Sequence, residues 1–292
     1  FNVLVAVMLL AAGVGMELIV FDLDGTLLNS ASELSPVTQL TLRQLADRGI
    51  AYTVATGRTL HASRAILQGH GFTRPHIYKN GVMIWHPREA DFSHTSLLTQ
   101  DEIHHLLHAV QQQGITPFIF SLEPGNRHAI YHSPLRNEVE RRLVADFLGS
   151  GEVEVLPVAR MPRNAAITNI SAIGVPAAID AVADSVAPEP ALVAYAGDAI
   201  EGAALKWIDI HHSDASKGKA VAILREQLGA ARIICFGDSE NDLSLFDEAD
   251  ECYAPDNAKD EVKAAATAIV GHHDDDGVAR FLRRRFSLPE GE

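Results

Sequence analysis

The sequence predicts an α/β protein: a doubly wound parallel sheet core that carries an inserted α+β domain. Three observations predict it. Short apolar, β-branched runs at residues 18–21, 50–55 and 232–236 each end in a polar turn that contains glycine, which reads as buried strands. Helical segments separate these runs, and strands alternating with helices at this spacing form parallel sheets. Between residues 83 and 209 the texture changes to strands and helices divided by loops rich in Pro and Gly, long enough for a domain of its own.

The elements follow in order. After the 18–21 strand, Ser35 caps a helix with Pro36 in its first position, and Gly49 follows its end. Residues 50–55 form the next strand, 59–68 a helix, and 76–78 a short strand ending at Asn80-Gly81. The insertion carries helices at 101–113, 137–147 and 176–186, with strands at 116–120, 128–131, 167–173 and 192–195. From Ser216 the alternation resumes: a helix, the 232–236 strand, a helix from Asn241, a strand near Cys252, and helices from Lys259 and Gly277. The expected division is an extension at 1–15, a core at 16–82 and 210–292, and an insertion at 83–209.

A chain of 292 residues can bury a sizeable core. Hydrophobic residues at 47% and charged residues at 21% describe a soluble globular protein. Its 38 acidic residues outnumber 24 basic ones, giving a formal charge of −14 that argues against a nucleic-acid partner. A small phosphorylated substrate stays compatible, because a local metal and a lysine meet its charge. Cys235 and Cys252 both fall in expected core strands, so free thiols in a reducing, cytoplasmic setting are expected. Residues 3–15 are apolar, but no Lys or Arg precedes them and they are too short to span a bilayer. We read 1–15 as an upstream extension, either native or from a misassigned start, in preference to a secretion signal, and expect no membrane partner.

The chemistry begins at Asp22-Leu23-Asp24-Gly25-Thr26, directly after the first strand. Asp22 and Asp24 are two residues apart, so the pleat points both carboxylates to one side. Gly25 lets the chain turn past them. Open α/β sheets place their chemistry at the carboxyl ends of strands. A carboxylate pair there repels itself unless a cation is present, which implies a hard metal such as Mg²⁺. A calcium loop is the rival reading, since Asp22, Asp24 and Glu33 fall at its first, third and twelfth positions. Leu27 stands where that loop needs glycine, and a strand rather than a helix precedes it.

Three further motifs accompany this one. Thr56-Gly57-Arg58 ends the second strand, Ser216-Lys217-Gly218 opens a helix, and Gly237-Asp238-Ser239-Glu240-Asn241-Asp242 follows the 232–236 strand. Each alone is a plain turn or helix start. In this order they resemble the haloacid dehalogenase superfamily, and within it the Cof-type group of sugar-phosphate and cofactor phosphatases. The resemblance runs from Met16 to the C-terminus. It implies a Rossmann-like core with an α/β cap inserted between the second and third motifs, and phosphoryl transfer from a small phosphorylated metabolite to Asp22. Asp24 is then the general acid and base. Mg²⁺ is held by Asp22, the backbone carbonyl of Asp24 and Asp238, with Asp242 nearby. Thr56, Gly57, Lys217 and Asn241 bind the phosphoryl group, and Arg58, Asn80 and Asn257 are candidate substrate contacts. The resemblance specifies neither the metabolite nor an oligomeric state.

Asp209, Leu245 and the segment Tyr253-Ala254-Pro255-Asp256-Asn257-Ala258 depart from the group's usual residues without removing a catalytic group. Lys217 at a helix start runs against the dipole preference for acids there, a local misfit that points to function. His272-His273-Asp274-Asp275-Asp276 offers a loose set of metal ligands, but reads in preference as a polar loop and helix cap. Two other functions share this scaffold: a phosphosugar mutase, and a non-catalytic phosphometabolite-binding regulator. The regulator would be expected to lose some of Asp22, Asp24, Lys217 and Asp238, and all four are present.

Overall fold

The computed structural model describes residues 15–289 except 150, 152, 200, 201 and 203, with the backbone alone at 94, 95 and 101. Of the expected extension at 1–15, residues 1–14 lie outside the described residues. The chain divides into two compact units, Phe1–Ser93 with Ser216–Glu292, and His94–Ala215. These borders differ from those drawn on the sequence at 82/83 and 209/210. Residues 83–86 fold back antiparallel onto 76–78, which keeps them with the first unit, while the strand ending at His212 belongs to the second.

The first unit begins with β1 (Met16–Phe21), α1 (Pro36–Asp47), β2 (Ala51–Val54), α2 (Leu60–Leu67), β3 (His76–Tyr78) and β4 (Met83–His86), and its border after Ser93 falls within β5 (Asp91–Thr95). The second holds α3 (Gln100–Gln112), β6 (Phe118–Glu123), β7 (Arg127–His132), α4 (Glu138–Gly149), β8 (Val153–Pro157), β9 (Ile167–Gly174), α5 (Pro176–Val186), β10 (Leu192–Asp198) and β11 (Lys206–His212). The chain then completes the first with α6 (Lys217–Leu228), β12 (Ala230–Phe236), α7 (Leu243–Glu248), β13 (Glu251–Pro255), α8 (Asp260–Ala265), β14 (Ala268–Val270) and α9 (Gly277–Arg285).

The main sheet of the first unit has the order β14-β13-β12-β1-β2 and is parallel throughout. Ile19 and Phe21 pack on one face with Leu42 and Leu45 of α1 and Leu282 of α9. Leu18 and Val20 pack on the other with Val221 and Leu224 of α6 and Leu245 of α7. Burial on both faces is why these strands read as unbroken apolar runs. Ser35 caps α1 by accepting from the Thr38 amide at 3.0 Å. From β1 the chain moves to β2 on one side, and it later returns to β12 on the other. Ligands in open α/β sheets bind at such a switch point. Here it lies between the carboxyl ends of β1 and β12, where Phe21 stands beside Phe236.

The second unit is a sheet of order β10-β11-β9-β6-β7-β8, antiparallel except for β7 with β8. Ile119, Ile170, Ile208 and Ile210 bury one face against α3 and α5. On the other face Phe118 and Phe120 meet Phe147 of α4. Strands β4, β5, β8, β11 and β14 are absent from the sequence reading. The last is three residues long, too short for a periodic signal. In β11 the alternation of Ile208 and Ile210 with Trp207 and Asp209 is present but sits beside a polar loop. Among the described residues no helix is long and apolar enough to cross a membrane.

Candidate active site

Asp22 leaves β1 with its amide still in the sheet, donating to the Phe236 carbonyl at 2.9 Å. That bond fixes where the side chain emerges. Gly25 takes φ +75°, and a Cβ there would lie 2.5 Å from Asp238 Oδ2. The loop thus passes close over Asp238 only because residue 25 has no side chain.

Lys217, in the first turn of α6, is buried and reaches back into the sheet. Its Nζ donates to Asp22 Oδ1 at 2.6 Å and to Asp242 Oδ1 at 2.7 Å. Burial by itself lowers an ammonium pKa, but Asp22 and Asp242 outweigh it and hold Lys217 above its usual range. Asp242 accepts on its other oxygen from the amides of Asp238 (2.9 Å) and Ser239 (3.1 Å). Its carboxylate therefore organises the loop and the lysine together. Asp238 accepts from the hydroxyls of Thr26 (3.2 Å) and Ser239 (3.1 Å). Thr26 and Ser239 stand inside the motifs, yet the sequence offers no separate sign that they orient Asp238.

Asp22, Asp238 and Asp242 each place an oxygen within 4.8 Å of the others. Burial raises the Asp22 carboxyl well above the usual range, with Lys217 opposing and Asp242 and Asp238 adding to the rise. Burial, then Asp242, raises Asp238 likewise. Three carboxylates face one ammonium, and all the donors are oxygen. The residues therefore fit a hard divalent cation, which would balance the charge that burial penalises.

Asp24 faces outward, its side chain 54% exposed, and Arg58 forks onto it. Nε donates to Oδ2 at 2.7 Å and Nη2 to Oδ1 at 2.5 Å. Arg58 is thus tied to Asp24, a pairing that the sequence does not show. Thr56 is buried, and its Oγ1 accepts from the Arg58 amide at 3.1 Å, which leaves its own proton to donate elsewhere. A Cβ on Gly57 would lie 3.2 Å from Asn80 Oδ1.

Asn80 is buried and left-handed at φ +55°, and it accepts from Asn241 Nδ2 at 2.9 Å. Next to it, Gly81 at φ +98° packs on the Ser216 backbone, where a Cβ would come within 2.1 Å of the carbonyl oxygen. This contact sets the start of α6, and so Lys217, against the end of β3. Asn241 Oδ1 is buried with no partner among the described residues. Asn257 is a brace: Nδ2 donates to the Gly25 carbonyl at 2.7 Å and Oδ1 accepts from the His273 amide at 3.1 Å.

With this geometry in place, comparison with known proteins is direct. The haloacid dehalogenase-like hydrolase family matches residues 19–282. The chain is 28% identical over 283 residues to the 5-amino-6-(5-phospho-D-ribitylamino)uracil phosphatase of Bacillus subtilis, covering 93% of this chain and 98% of that one. It is 27% identical over 275 residues to the phosphoglycolate phosphatase of Methanopyrus kandleri, covering 92% and 96%. A haloacid dehalogenase-like hydrolase from Bacteroides thetaiotaomicron shares the fold at a TM-score of 0.75 and 20% identity, over 93% of this chain and 100% of that one. A family match across nearly the whole chain, together with four motifs gathered at one switch point, makes this a phosphoric monoester hydrolase: the chain belongs to the haloacid dehalogenase-like hydrolases, in their Cof-type group.

Proposed function

We propose that this chain is a Mg²⁺-dependent cytoplasmic phosphatase of a sugar phosphate or phosphorylated cofactor, acting through an aspartyl phosphate on Asp22. The observation that carries the reading is the buried Lys217 bridging Asp22 and Asp242 beside Asp238. Phosphoryl transfer needs charge neutralisation and positioning above all, and this cluster supplies both. An Asp22 oxygen attacks phosphorus and the bond to the ester oxygen breaks. Asp24 gives its proton to the departing alkoxide. Water then attacks the aspartyl phosphate, Asp24 takes its proton, and phosphate leaves with Asp22 restored. Thr56 donates to the phosphoryl oxygens, and Lys217 holds a fixed positive charge against them. Asp22, Asp238 and Asp242 would hold Mg²⁺, which would supply further neutralisation of the phosphoryl charge. Arg58 occupies both Asp24 oxygens in this structure, so that pair has to open before Asp24 meets a leaving group.

Two results are expected of this site. Activity requires Mg²⁺ and falls with excess Ca²⁺, because Ca²⁺ takes more ligands at longer distances and engages the second Asp22 oxygen. Phosphate release that survives exhaustive chelation would end the metal assignment. Asp24→Asn slows turnover of alkyl phosphates more than of aryl phosphates, whose leaving groups need less protonation. Equal slowing of both classes, measured as kcat/KM, would take the acid role from Asp24.

Selection of the leaving group falls in this proposal to the second unit. On its sheet Asp209 stands beside Ser171 and Tyr195, and accepts from Asn169 Nδ2 at 2.6 Å and from the Ser171 hydroxyl. Trp207 shares that face, opposite the buried Ile208 and Ile210. A face of aromatic and hydrogen-bonding side chains is suited to a polyol or a heterocycle. Trp207→Ala and Asp209→Ala are expected to reorder kcat/KM across a panel of phosphate esters and to leave acetyl phosphate nearly untouched. A common factor across all substrates would make this unit a structural lid.

A further inference from the structure

The loop before α9 gathers His272, His273 and Asp274, each with one ligand atom within 4.8 Å of the others. The spacing is close to that of a coordination sphere. His273 Nε2 lies 3.7 Å from Asp274 Oδ2, and His272 Nδ1 lies 3.9 Å from the same oxygen. A tetrahedral zinc with bonds of about 2.0–2.1 Å separates its ligands by roughly 3.3–3.4 Å. A contraction of roughly 0.3–0.6 Å brings each imidazole nitrogen to that separation from Asp274 Oδ2.

The second layer of contacts already orients these atoms. His273 Nδ1 is 2.7 Å from the Leu28 carbonyl, an acceptor only, so Nδ1 donates there and Nε2 is the nitrogen turned to the cluster. His272 Nδ1 accepts from the Asp274 amide at 3.2 Å, which turns its ring toward the cluster and is the one contact that a bound metal would replace. Asp274 accepts from the Ser30 amide at 2.7 Å and from the Ser30 hydroxyl at 2.6 Å, and these bonds hold its carboxyl below the usual range.

We propose that His272, His273 and Asp274 form a second cation site, selective for a borderline divalent metal such as Zn²⁺ over Mg²⁺. Two imidazoles and one carboxylate select against Mg²⁺, which prefers oxygen and keeps its waters. Solvent completes the sphere, since the three side chains are partly exposed. A metal here fastens the loop to the catalytic turn. Ser30 and Leu28 are held directly by Asp274 and His273, and Gly25 is reached through Asn257. The site is separate from the acidic cluster and independent of the reaction proposed for it.

The test is equilibrium dialysis of the chelator-treated protein against Zn²⁺ or Co²⁺ in excess Mg²⁺, with Co²⁺ absorption and thermal melting as readouts. One tightly held ion per chain is expected, with visible Co²⁺ bands and a raised Tm. His272→Gln keeps the His273 bond to Leu28 and is expected to weaken binding by about tenfold or more. Asp274→Asn is expected to do the same, while Asp22→Asn leaves binding unchanged. Binding lost in Asp22→Asn but kept in His272→Gln would put the ion in the acidic cluster and overturn the proposal. So would the absence of a bound ion in excess Mg²⁺.

Discussion

Asp22→Asn is expected to lower phosphate release by on the order of a thousandfold or more, the scale on which loss of a covalent nucleophile is felt. The amide keeps the shape of the carboxylate but is a far poorer nucleophile. Stability is expected to hold or rise. The sign follows from the raised Asp22 pKa. A carboxyl whose pKa is higher folded than unfolded costs stability at neutral pH, where the unfolded chain carries it ionised without penalty. Asparagine removes that cost, and its side-chain oxygen still accepts from Lys217. Thermal denaturation and a phosphate-release assay on one small ester measure both halves. Turnover within tenfold of the wild type would move the nucleophile to another residue.

Lys217→Met acts on fold and reaction together. The methionine fills a similar volume, so the change is chiefly the loss of an ammonium from between Asp22 and Asp242. Removing one partner of a buried ion pair leaves the other charge uncompensated, at a cost of about 3–5 kcal/mol. The expected result is a clear fall in the denaturation midpoint with activity near background. A second change separates charge from packing. Asp242→Asn in the Lys217→Met background is expected to restore part of the stability and none of the turnover. A single variant as stable as the wild type would show that the buried charges do not depend on the lysine.

Much of this was open to reading from the chain. The strands that carry the site are buried on both faces, so 18–21 and 232–236 appear as apolar runs, and the acids at their ends appear as breaks in them. Ser35-Pro36 fixes the start of α1 through a cap three residues long, and Lys217 at a helix start is a local misfit visible without coordinates. Such signals are short in range, and a sequence displays them directly.

What depends on long-range pairing was not legible. The register that sets Phe21 beside Phe236 brings Asp22 within reach of Asp238 and Asp242, and nothing local to either segment encodes it. Nothing near Arg58 in the sequence shows that the turn after β1 places Asp24 in its fork. Nothing near Asn257 shows that its amide braces Gly25 against His273. The borders of the second unit moved for the same reason, since 83–86 pairs with 76–78 through a turn that carries no periodic mark. The sequence by itself determined which chemical groups stand at strand ends and helix starts, because periodicity and capping act over a few residues. The tertiary structure alone decided which of those groups meet, because the contacts that join them span separations as long as the 195 positions from Asp22 to Lys217.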